Sequence, residues 1–87
     1  MYKYLYELIS FFKNKITGYT IDDYEEENTI MILFENKQDK FIVIIEKNTD
    51  KIIVDNVEFD LTKDSVASRI NKVYKAVISR IDKSLLK

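Results

Sequence analysis

The chain has 87 residues, 46% hydrophobic and 33% charged, which argues against disorder or several domains and fits one small globular domain over residues 1–87. It contains neither Cys nor His, so disulfides, thiolate metal sites and the commonest general base at neutral pH are excluded, and no metal or cofactor is expected. Fourteen Lys and Arg against 15 Asp and Glu give a net charge of −1, too balanced for a histone-like binder or a wholesale mimic of nucleic acid.

The first element is a helix ending near Thr17. At about 100° per residue, Met1, Tyr4, Leu5, Leu8, Ile9, Phe11, Phe12 and Ile16 fall on one side, with Lys3, Glu7, Ser10 and Asn14 opposite. Gly18 stands just past the last apolar position, where a left-handed residue closes a helix without steric cost.

From Tyr19 the texture changes to β-branched and aromatic runs divided by polar clusters, the pattern of short strands joined by turns. Three runs are clear, Thr29 to Glu35, Phe41 to Glu46 and Lys51 to Phe59, and the connections between them are too short for parallel crossovers. Tyr19 to Tyr24 is a candidate extra strand, followed by an acidic loop or exposed edge. In the last run Asp55-Asn56 interrupts the apolar pattern and marks a bulge or a tight turn. The fold class is therefore α+β: a helix, an antiparallel meander of three or four strands, and a long C-terminal helix.

That last helix is expected from Thr62 as N-cap, with Asp64 in the first turn and Leu61 stapled to Val66. Val66, Ala67, Ile70, Val73, Tyr74, Val77, Ile78, Ile81 and Leu85 form its core side. The central strands are apolar on both faces: Ile30, Ile32 and Phe34 alternate with Met31 and Leu33, and Phe41, Val43 and Ile45 with Ile42 and Ile44. Two helices on one side leave the other face open, so that face is expected to take a second copy, as a homodimer, or another partner.

No stretch approaches the apolar length of a membrane span, and no membrane partner is expected. Ile, Lys, Asn, Tyr and Phe make up nearly half the chain, against one Gly, two Ala, two Arg and no Pro. That bias towards A/T-rich codons points to low-GC bacteria, their phages and plasmids, and the chain reads as cytoplasmic, in the host cell if phage-encoded.

Charge is unevenly distributed, and three clusters follow from it. Asp22, Asp23, Tyr24, Glu25, Glu26 and Glu27 read either as a solvated loop or as a phosphate-like surface with Tyr24 as an anchor towards a partner's basic groove. The run lacks the alternating ligands and Gly turn of a calcium loop. Tyr2 and Tyr6, one turn apart beside the core side of the first helix, are either interface anchors or shields for the sheet edge. On the last helix Arg69, Lys72, Arg80, Lys83 and Lys87 line up around Ala76; this stripe reads as a solvated face, a contact for an acidic protein, or a phosphate-contacting surface for nucleic acid. With one Gly, no phosphate-cradling loop exists, and no Ser can pair with a His. A non-enzymatic binding role is expected, with catalytic residues none.

The order helix, meander, helix resembles the double-stranded RNA-binding domain. In that family basic residues opening the final helix meet phosphates, whereas this segment reads Thr62-Lys63-Asp64-Ser65-Val66-Ala67, so the likeness extends to topology alone. In size, A/T-rich coding, the acidic stretch Asp22 to Glu27 and lack of catalytic equipment, the chain also resembles small phage- or plasmid-encoded anti-CRISPR inhibitors. That resemblance implies a host protein or nucleoprotein complex as partner, inhibited by occupation of its surface. A small nucleic-acid-binding accessory protein is the alternative.

Overall fold

A computed structural model describes residues 3–49, 51–61 and 65–85. Helix α1 spans Lys3–Lys15, and five strands follow: β1 Thr20–Glu25, β2 Thr29–Glu35, β3 Lys40–Glu46, β4 Lys51–Val54 and β5 Val57–Asp60. Helix α2 spans Val66–Leu85. The sheet is an antiparallel meander in the order β1-β2-β3-β4-β5, so β1 and β5 are its edges.

The α+β class and the meander agree with the sequence reading, while the strand count exceeds it. Tyr19 to Tyr24 does yield a strand, shifted by one residue, and the acidic run forms most of that edge strand instead of a loop. The run Lys51 to Phe59 is two strands because Asp55 and Asn56, with φ of 46° and 73°, form a two-residue turn between the paired Val54 and Val57. Positive φ at both central residues gives a hairpin turn the twist that adjacent strands require, and Asp and Asn tolerate it better than most residues.

Both helices pack on one face of the sheet. Leu8, Ile9, Phe12 and Ile16 of the α1 segment and Val73 and Val77 of α2 meet Ile30, Ile32, Phe34, Phe41, Val43, Ile45, Ile52 and Val54 in a single apolar cluster. Ile16 still donates its N–H to the Phe12 carbonyl at 2.9 Å, after which Gly18 turns the chain at φ 85°. Aromatic rings bind the layers together: Phe12 and Tyr19 approach Phe34 edge-on, Phe34 stacks on Phe41 with centroids 4.7 Å apart, and Phe11 meets Tyr74 across the helix pair.

The core side of α2 is narrower than its apolar pattern. Leu85 is 77% exposed and Ala67 is exposed, both at the ends of α2; Ala76, expected within the basic stripe, packs against the core. The α2 cap is Ser65, whose Oγ accepts the Ser68 N–H at 3.2 Å. The expected cap Thr62, together with Asp64, Met1, Tyr2 and Lys87, lies outside the described residues, as do the side chains of Tyr4, Leu5 and Val66.

Candidate functional site

The alternation of strand side chains leaves a second apolar face, opposite the helices. Register places Tyr24, Met31, Ile44 and Ile53 in one row across four strands, and Asp22, Leu33 and Ile42 in the next. Tyr24 is 50% and Ile42 40% exposed, whereas every apolar strand residue of β2, β3 and β4 that points towards the helices is buried. A depression of about 320 Å³ on this face is lined by Tyr24, Met31, Leu33, Lys40 and Ile42. By the same alternation Glu35, Glu46 and Glu58 stand at the border of the face, so an apolar centre has a mainly acidic rim, relieved by Lys40 and Lys51.

The structure divides the acidic run that composition had grouped together. Asp22 and Tyr24 belong to the open face. Asp23 and Glu25 belong to the helix side, where Lys13 reaches Asp23 at 3.1 Å and Lys47 reaches Glu25 at 2.8 Å. Glu26 and Glu27 are exposed in the turn between β1 and β2. Tyr6, 54% exposed, donates its hydroxyl to Glu25 at 2.7 Å, so it braces the edge strand. Glu25 is held below the usual carboxylate range first by the Lys47 ammonium and then by that phenol, and the same bond raises the Tyr6 hydroxyl above its ordinary value. Of the predicted contact set, Asp22 and Tyr24 are therefore the members brought onto the apolar patch.

The basic stripe is divided as well. Arg80 turns towards the sheet: its two terminal nitrogens donate to Asp39 at 3.0 and 2.8 Å, its Nε donates to Asp55, and its guanidinium lies 4.6 Å from the centre of the Phe41 ring. Asp39 is presented by a turn in which Asn36 Oδ1 accepts the N–H groups of Gln38 and Asp39, and it also accepts the Tyr19 hydroxyl at 2.6 Å. The Arg80 guanidinium, with the Tyr19 phenol and the Lys40 N–H, holds the Asp39 carboxyl well below the usual range. Arg80 thus ties α2 to two turns of the sheet, contrary to its expected place on a phosphate-contacting surface. Arg69 is half-buried near the start of α2. Lys72 and Lys83 line a separate groove between α2 and β5 that the sequence did not disclose, because β5 itself was hidden within a longer run.

Among the described residues no group of three or more acidic side chains is placed to hold a metal ion, and no helix is long and apolar enough to cross a membrane. No family model, curated protein or solved structure matches the chain.

Proposed function

We infer that the protein is a non-enzymatic binding module that occupies a partner's surface through the open sheet face. The observation that carries this reading is the position of Tyr24: it joins an edge strand rich in carboxylates to a patch of Met31, Leu33, Ile42, Ile44 and Ile53 on the side without a covering helix. A contiguous apolar patch with a charged rim is the usual anatomy of a protein contact, and Tyr is a frequent anchor within one.

The complementary surface is apolar at its centre and basic around it, such as the nucleic-acid-binding face of a protein or nucleoprotein complex. A phage- or mobile-element-encoded inhibitor of a host machine, anti-CRISPR-like and acting in the host cytoplasm, has this requirement. A homodimer through the same face is the competing use of it. Nucleic acid on the α2 surface is a weaker reading, because Arg80 is engaged with Asp39 and Asp55.

Capture from a low-GC bacterial lysate, with and without nuclease, tests the reading. Capture should survive nuclease and fall at least about tenfold with Tyr24→Ala, the effect of removing an anchor that contributes about 1.4 kcal/mol or more. Nuclease-sensitive capture that is lost on reversing the α2 charges and indifferent to Tyr24 would instead establish the nucleic-acid reading.

A further inference from the structure

The groove between α2 and β5 lies on the helix side of the sheet, away from the open face, and has a volume of about 670 Å³. Its floor includes Val57 and Phe59, which point to the same side as the core yet remain 54% and 37% exposed, because α2 packs over β4 and stops short of the edge. Its wall is the flank of α2 carrying Lys72, Lys75 and Lys83, with Ala76 between them. Among the described residues no strand pairs with the outer side of β5.

We propose that this groove receives an extended, acidic peptide segment of a partner protein, added alongside β5 as a sixth strand. Three features specify that occupant. Val57 and Phe59 are two residues apart, so alternate apolar side chains of an added strand would stand beside them on one face. The wall from Lys72 to Lys83 is about 16 Å long at the helical rise, the length of about five residues of extended chain, so a short segment spans it. The lining carries the exposed residues Lys72, Lys75 and Lys83 against Asp60, while its one guanidinium, Arg80, is paired with Asp39 and Asp55. Carboxylates on the segment would therefore meet a lining in which lysines outnumber Asp60, above an apolar floor, while main-chain pairing along β5 supplies affinity in the manner of strand addition.

The test is a titration of the isotope-labelled full chain, followed by backbone amide shifts, with a hexapeptide alternating glutamate with valine and phenylalanine. Controls are the same peptide with lysine for glutamate and a single-stranded oligothymidine. The glutamate peptide should shift amides of residues 57–60 and 72–83 with saturable affinity, on the order of hundreds of micromolar for so small a contact. The folded double variant Lys75→Glu/Lys83→Glu should bind about tenfold more weakly, and the lysine peptide should not bind the wild type. Equal binding of the two peptides, shifts confined to the open face, or no shifts at millimolar peptide would overturn the proposal. Tighter binding of the oligothymidine to the same amides would replace it with single-stranded nucleic acid as occupant.

Discussion

Phe34→Ala should lower the stability of the folded chain by about 3–5 kcal/mol, the cost of deleting a buried aromatic ring and leaving the cavity unfilled. Phe34 is fully buried near the end of β2, stacked on Phe41 and touched edge-on by Phe12 and Tyr19, so it contacts α1, the segment before β1 and β3 at once. A domain of 87 residues has only about 4–13 kcal/mol of stability in total, so this one change removes a large share of it. The surrounding rings come from three different elements and cannot all move inward to fill the space. Phe34→Leu, which keeps most of the volume, should cost under about 2 kcal/mol. Urea unfolding followed by circular dichroism reads both: the midpoint for Phe34→Ala should fall by more than about 1 M while the slope stays unchanged. A smaller shift would mean that the four rings do not form a rigid cluster.

Arg80→Met should cost about 2–3 kcal/mol even though Arg80 lies on a helix flank that reads as solvent-facing. Breaking a fully buried ion pair by removing one partner costs about 3–5 kcal/mol, and the figure here is discounted because side-chain exposures of 19% for Arg80, 12% for Asp39 and 38% for Asp55 allow partial solvation. The methionine retains much of the aliphatic packing on Phe41 but leaves the Asp39 carboxylate with only the Tyr19 hydroxyl and the Lys40 N–H as donors. The pH dependence follows in sign. The folded chain holds the Asp39 carboxyl below its unfolded value, so this stabilisation is fully present above about pH 4 and is lost as pH falls below that towards the depressed folded value. Wild type should therefore lose stability steeply on acidification, and Arg80→Met should show a shallower acid limb. Tyr19 behaves oppositely: burial first, and then its bond to Asp39, raise the phenol above its ordinary value, so its contribution is intact below about pH 10 and is lost on further alkalinisation. Thermal melts from about pH 2 to pH 7 test the acid prediction; parallel curves for wild type and Arg80→Met would rule out the ion pair as the cause.

The helices were legible because their apolar residues recur at the helical period over three or more turns, a signal that depends on no other part of the chain. The bare sheet face was legible too, since Met31, Leu33, Ile42 and Ile44 alternate with a set already sufficient for the core. The fifth strand was legible only in part: Lys51 to Phe59 reads as one β-run, and Asp55-Asn56 marks a bulge or a tight turn within it, of which the structure has the turn, so the run is two strands. The role of Arg80 had no local signal. Its partners Asp39 and Asp55 are 41 and 25 residues away, and a helical wheel places a residue by angle without showing which turn of the sheet lies beneath it. The acidic run misled for a related reason: strand alternation sends Asp23 and Glu25 to Lys13 and Lys47, so two of the five carboxylates of an apparently uniform negative segment are internally compensated.

Binding through the open sheet face is put to the test by Ile42→Glu. Ile42 is 40% exposed beside Leu33 and Lys40, so the carboxylate can reach water and the folded chain should melt within a few degrees of wild type, as surface changes within about 0.5 kcal/mol do. The measurement is lysate capture together with light scattering, wild type against variant. Wild type should retain a protein partner, or pair with itself, and Ile42→Glu should do neither while remaining folded. Undiminished capture by the variant, or a wild type that captures nothing and stays monomeric at high micromolar concentration, would contradict binding through this face.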